Sequence, residues 1–193
     1  MIYSKTFTEP TFNEKEILRY AGCKTENPEI IQLLKDSIKE IRPLLSYKVC
    51  YGQFQVQITD DCCDFGSFSF RSKNLAKNLS GCNSAVIFAA TVGIEADRII
   101  SKYTRLSPSK AMMLHAIGSE RVEALCDVFC EDIRLQYNSE TKPRFSPGYG
   151  DLSLEYQKEI FSVLSPEKNI GLFLNDNLLM IPSKSVTAIV GLK

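Results

Sequence analysis

An arginine, a serine, a glycine and a tyrosine stand within six residues in the run Lys142-Pro143-Arg144-Phe145-Ser146-Pro147-Gly148-Tyr149-Gly150-Asp151. Arg144 carries a fixed cation that can grip a carboxylate through two parallel hydrogen bonds. Ser146 adds a hydroxyl, Gly148 lets backbone approach a ligand closely, and Tyr149 offers a flat apolar face with a polar tip. Together they suit a small zwitterionic ligand with an aromatic part. The plainer reading of Ser146-Pro147-Gly148-Tyr149 is a type II turn, with proline second and glycine third. Upstream, Glu120, Glu123 and Asp127 fall at i, i+3 and i+7 and line one face of a helical segment. Such a stripe is ordinarily a solvated face. The functional alternative is that one of these carboxylates meets a ligand ammonium.

The surrounding pattern has to hold these groups. Asn13 opens a short helix with Glu16 three residues on, and Gly22 closes it. Asn27-Pro28 starts a second, striped by Ile31, Leu34, Ile38 and Ile41. Residues 46–59 alternate apolar and polar with a slip near Gly52-Gln53, which reads as two strands or one bulged strand. Phe68 and Phe70 suggest another strand, and Ser72 caps a helix through Leu79. The unbroken apolar run Ala85–Ala90 predicts a central strand covered on both faces. A helix follows over 94–103. Ser107-Pro108 then begins the longest helix, which runs to about Leu135 or Tyr137, with Ile117, Leu125, Val128, Phe129 and Ile133 toward the core. After the signature loop Asn138–Asp151, Ser153 caps a helix bearing Ile160 and Leu164. Ser165-Pro166 starts one further turn, and strands are expected at 172–174, 178–181 and 185–190. Helices and strands do not alternate strictly. The expected class is therefore α+β, a largely antiparallel twisted sheet with flanking helices, over a single domain of residues 1–193.

Lys plus Arg and Asp plus Glu both number 23, so the net charge is zero and nothing favours a polyanionic partner. No nucleic-acid or membrane partner is expected: no basic run interleaved with aromatics appears, and no apolar run nears the ~20 residues of a membrane span. The amino terminus has no apolar core like that of a secretory leader, which predicts a cytoplasmic protein. Seven cysteines without such a leader are expected to be free thiols. With one histidine and no Cys-x-x-Cys, no metal site is expected.

Arg144-Phe145-Ser146-Pro147-Gly148-Tyr149 resembles the Arg-x-x-Pro-Gly-Tyr signature of the activation domain of cobalamin-dependent methionine synthase. Downstream, Glu167-Lys168-Asn169-Ile170-Gly171, then Met180-Ile181-Pro182 and Ser185-Val186, are similar to that family's Glu-Lys-x-x-Gly turn, Met-x-Pro step and Ser-Val strand. Met113–Ala124 resembles its long helix. The likeness covers about the last two thirds of the chain, and the shared order and spacing of the motifs carry it.

The resemblance implies a domain that binds S-adenosylmethionine and docks over cobalamin carried by a partner polypeptide. Arg144 would hold the ligand carboxylate. A glutamate of the long helix would meet the ammonium, at or beside Glu123 (strict counting falls on Ala124), with Glu120 as second choice. Ser146 to Gly148 would touch the adenosine or amino-acid portion, and Tyr149 would face the sulfonium or the corrin. No catalytic acid or base is implied. Whether the chain is itself an enzyme stays open: it would be an accessory subunit whose methyltransferase chemistry exists only with the cobalamin-bearing chain. The chain carries no Asp-x-His-x-x-Gly cobalamin-ligand motif, so it is expected to act as a separate subunit on a cobalamin-binding methionine synthase polypeptide, with a flavoprotein as reductant. Family members continue past the Ser-Val strand into an aromatic tail, one tyrosine of which reaches the ligand, and an acidic ligand residue near their amino-terminal edge has no counterpart here. The alternative is therefore a non-catalytic docking module for a corrinoid protein that has lost S-adenosylmethionine binding.

Overall fold

The computed structural model describes residues 1–23 and 27–193. In chain order the elements are β1 (Ile2–Phe7), α1 (Glu14–Tyr20), α2 (Pro28–Ile41), β2 (Tyr47–Gln55), β3 (Gln57–Thr59), β4 (Cys62–Asp64), β5 (Ser69–Arg71), α3 (Lys73–Leu79), β6 (Ser84–Thr91), α4 (Ile94–Leu106), α5 (Pro108–Tyr137), α6 (Tyr156–Leu164), α7 (Pro166–Ile170), β7 (Phe173–Leu174), β8 (Met180–Ile181) and β9 (Ser185–Leu192). The principal sheet has the order β1-β2-β6-β9, with every pairing antiparallel. Two small antiparallel sheets, β3-β4-β5 and β7-β8, accompany it.

Both faces of the principal sheet are buried. Val86, Phe88 and Ala90 of β6 point into one core with α1, α2, α4 and α5; Ala85, Ile87 and Ala89 point into the other with α3, α6 and α7. That is why this strand reads as an unbroken apolar run. The same burial explains the slip expected near Gly52-Gln53. There is no bulge there: Gly52 and Gln53 keep continuous register with Ile87 and Val86, and the break falls after Gln55, where β3 begins. Cys50, Tyr51 and Gly52 are successively buried because both sides are covered, so alternation disappears without the backbone changing.

The helix starts follow their capping chemistry. Asn13 accepts from the Glu16 backbone N–H, Asn27 from that of Glu29, and Ser72 from that of Leu75. Ser107 departs from expectation: it occupies the cap position of α5, but its side chain makes no capping bond, and Pro108 at the first helical position sets the start instead. Ser153 likewise bonds the Glu155 N–H at 3.2 Å, one turn ahead of α6. All seven cysteines are free. Burial pushes the Cys50 thiol up to about 12 and the Cys63 thiol up to about 11, so both stay protonated at neutral pH. No helix among the described residues is long and apolar enough to cross a membrane.

Candidate functional site

The edge of β9 remote from β6 is closed by the first half of the signature loop. The Lys142 N–H donates to Gly191 O at 2.9 Å, and Phe145 and Ile189 exchange backbone hydrogen bonds of 3.0 and 2.8 Å. The loop thus lies along β9 as a short extra strand, and neighbouring side chains point to opposite faces. Phe145 enters the core beside α6. Arg144, one residue earlier, turns the other way toward α5.

There the guanidinium meets two carboxylates. Nη2 donates to Glu123 Oε2 at 2.8 Å, and Nη1 donates to Asp127 Oδ1 at 2.5 Å. Glu123 and Asp127 are one helical turn apart, so one guanidinium reaches both. Burial works against the guanidinium's charge, but the hydrogen bond to Asp127 and the field around it outweigh burial and hold its pKa above the ordinary arginine value. The acidic stripe is therefore not the free solvated face its spacing predicts, and Glu120 departs from it furthest. That residue is 4% exposed. Its two oxygens take Arg121 Nε at 2.6 Å and Nη2 at 2.5 Å, and one of them also accepts the Asn13 N–H. The fully buried Arg121 continues to the Pro10 and Thr11 carbonyls at 2.6 and 2.8 Å and lies over the Phe12 ring at 3.8 Å. Glu120 is thus committed to tying the amino-terminal segment onto α5, and Glu123 is left as the more available glutamate.

Beyond Phe145 the chain makes the turn its sequence predicts. The Tyr149 N–H donates to Ser146 O at 3.1 Å, and Gly148 sits at φ +91°, a conformation that a Cβ would strain. Pro147 is buried, while Tyr149 is 69% exposed. A cleft of about 170 Å³ lies under this turn, lined by Glu123, Ser146, Pro147, Tyr149, Met180 and Thr187 among others. Two larger clefts adjoin the ion-pair cluster. One of about 540 Å³ runs along Arg144, Asp127 and Cys130; one of about 550 Å³ lies between α1 and α5 and is lined by Glu120, Glu123 and Asp127. Both fall in the size range of small-molecule sites, whereas the space under the turn does not reach it alone. Arg144 and Tyr149 therefore line different clefts, joined through Glu123, which faces the turn and also pairs with the guanidinium. A further cleft of about 720 Å³ lies elsewhere, between α3 and the β3–β4 turn, and contains none of the signature residues.

The far end of the loop is anchored by a residue whose role the sequence did not disclose. Asp151 accepts from the Ser72 hydroxyl and from the backbone N–H groups of Lys73 at 2.8 Å and Asn74 at 3.1 Å, capping α3 from outside. Gly150, beside it, has φ +55°, a left-handed conformation that favours glycine, and a Cβ there would stand 2.4 Å from Asn74 Nδ2, so the Asn74 side chain would have to shift. The Ser72 hydrogen bond, with help from the two N–H groups and against some desolvation, holds the Asp151 carboxyl below the ordinary carboxylate range. A depressed carboxyl contributes stability that is present above the unfolded value, about 3.9, and is lost as pH falls through the folded value. Asp151→Asn is accordingly expected to lower the Tm at pH 7, with the gap from wild type closing as pH is taken below about 4. Thermal unfolding followed by circular dichroism across pH 3–7 checks this; a gap that stays constant with pH would show that the carboxylate's charge is irrelevant.

Comparison with known proteins bears on the fold. No family model matches the chain, and no curated protein is similar to it in sequence. Thirteen chains of known structure do match. One is the crystal structure of the MetH reactivation domain bound to AdoHcy, with a TM-score of 0.75 and 15% identity over 99% of this chain and 78% of that one. The fold is that of the MetH reactivation domain. Within a reactivation-domain fold, the mixed architecture and antiparallel sheet expected from the sequence are accounted for over nearly the whole chain, including the first third, where the sequence likeness is loose.

Proposed function

We propose that this protein is a stand-alone, single-domain activation subunit. It binds S-adenosylmethionine and supports reductive remethylation of cob(II)alamin on a separate cobalamin-dependent methionine synthase, in the cytoplasm, with a flavoprotein as electron donor. The observation that carries the reading is Arg144 beside Glu123, next to the Pro147-Gly148-Tyr149 turn, in a chain whose fold matches a domain solved with AdoHcy. A cation and an anion this close form the natural counterpart of an α-amino acid: the guanidinium takes its carboxylate and the glutamate its ammonium. Ser146 and Tyr149 line the adjoining space under the turn, which Glu123 shares and Gly148 shapes, and the exposed Tyr149 ring can lie against the adenosyl or sulfonium portion. Cobalamin held by the partner, once reduced from cob(II)alamin by one electron from the flavoprotein, would supply the nucleophilic cobalt that takes the methyl group. The sulfonium methyl is already electrophilic and leaves behind a neutral thioether, so this chain has only to position it. No general acid or base is needed.

Isothermal titration of the purified protein with S-adenosylmethionine is expected to show saturable one-site binding. Adding the protein, the ligand and a reductant to a synthase lacking its own activation region is expected to restore methylcobalamin, seen in the visible spectrum. A second reading, a docking module that no longer binds the ligand, is favoured by one observation: Arg144 is already paired with two carboxylates of its own chain. Stable association with a cobalamin-binding polypeptide, without any heat of S-adenosylmethionine binding, would select that reading.

A further inference from the structure

Both terminal nitrogens of Arg144 are already bonded to carboxylates of the chain. Nη2 is engaged by Glu123 and Nη1 by Asp127, and these are the two nitrogens a planar fork uses to hold a carboxylate through paired bonds. An amino-acid ligand that takes the guanidinium end-on therefore competes with the chain's own carboxylates for these two nitrogens. Both line the cleft between α1 and α5, but they are not equivalent in exposure or in their other surroundings. The Asp127 side chain is 72% exposed and the Glu123 side chain 44%. Asp127 lines the cleft that runs along Arg144, and Glu123 lines the space under the Tyr149 turn. Asp127 can swing into water with little loss, because an exposed ion pair is worth little and its carboxylate recovers hydration. Glu123 is the one positioned to stay and receive the ammonium. The amino-acid end of the ligand carries one carboxylate and one ammonium, which the Arg144–Glu123 pair matches once Asp127 is released; the sulfonium adds a further positive charge that lies outside this pair.

We infer that Asp127 is a specificity-determining residue, an internal carboxylate standing in the ligand's place on Arg144, so that only a ligand bearing a well-placed carboxylate can displace it. This rests on the proposed S-adenosylmethionine site and adds a residue to it that no ligand contact would reveal. A neutral ligand that keeps the adenosyl group and its sulfur, as a thioether in place of the sulfonium, but has no amino-acid part does not compete for the guanidinium and has nothing to gain from the loss of Asp127.

The test is isothermal titration of wild type, Asp127→Asn and Asp127→Ala with two probes, S-adenosylmethionine and 5′-methylthioadenosine. Both variants are expected to bind S-adenosylmethionine about two- to fivefold more tightly, the scale of an exposed ion pair, with the 5′-methylthioadenosine affinity unchanged. Weaker or equal S-adenosylmethionine binding by the variants overturns the inference while leaving the site itself standing, provided wild type binds. Equal tightening toward both probes also overturns it, since it would report a general loosening of the cleft. Binding by the variants where wild type shows none upholds it, as a fully masked site. Absence of S-adenosylmethionine binding in all three proteins removes the site and the inference together.

Discussion

Arg144→Ala is expected to raise the Kd for S-adenosylmethionine about a hundredfold. Each hydrogen bond to a charged group contributes roughly 1.5–3 kcal/mol, and the guanidinium is proposed to supply two to the ligand carboxylate. A loss of about 3 kcal/mol therefore corresponds to two decades in affinity. Stability should change little, because both of its present partners are more than a third exposed and such pairs are screened by solvent. Arg144→Lys separates charge from geometry: an ammonium keeps the attraction but not the planar fork, so affinity should fall between alanine and wild type. Titration at fixed ionic strength, with a thermal melt of each variant, is the measurement. Unaltered affinity in the alanine variant would remove the carboxylate clamp from the proposed function.

The largest effect on stability is expected at Arg121. Its side chain is fully buried, pairs with the buried Glu120 and bonds two carbonyls of the amino-terminal segment. Arg121→Ala would strand the Glu120 carboxylate without a cation and cut the ties to Pro10 and Thr11. Removing one partner of a buried pair costs about 3–5 kcal/mol, which in a chain of this size lowers the Tm by roughly 6–20 °C. The double variant Glu120→Gln/Arg121→Met should be milder than the single, because it leaves no orphaned charge. Differential scanning calorimetry of both variants checks the order; a double variant less stable than the single would mean that the pair itself, and not the avoidance of a stranded charge, stabilises the fold. Ligand affinity should follow the melt only where unfolding intrudes, since Arg121 lines none of the three clefts around the site.

Much of this architecture could be read from the chain because its signals are local. Asn13, Asn27 and Ser72 cap helices where cap residues precede an apolar stripe, and the turn at Ser146–Tyr149 is fixed by Pro147 and Gly148. The elements that escaped are those whose reason for existing lies elsewhere in the molecule. β1 is exposed along most of its length, so it carries no apolar alternation, and only its pairing with β2 makes it a strand. β4 is three residues long and includes an aspartate.

The site shows the same division. Arg144, Glu123 and the turn were legible as chemistry. Arg144's engagement by Asp127, the tying of the Glu120–Arg121 pair to the amino-terminal segment and the capping of α3 by Asp151 join residues 17, up to 111 and 79 positions apart, which no spacing rule reaches. Val128 shows how narrow the margin is. It was expected on the core side of the long helix and is 40% exposed, one position off the buried stripe that carries Leu125 and Phe129.

The strand-like pairing of the loop with β9 has an evolutionary corollary. An unguarded sheet margin is a template for another chain to add to, and here the segment that presents Arg144 is also the segment that shields that margin. Substitutions that loosen the loop to admit a new ligand would uncover backbone groups of β9 and invite self-association. Recognition and colloidal behaviour are thereby coupled, and variants selected for altered ligand preference should carry compensating changes in the Thr141–Phe145 pairing or in the Asp151 anchor.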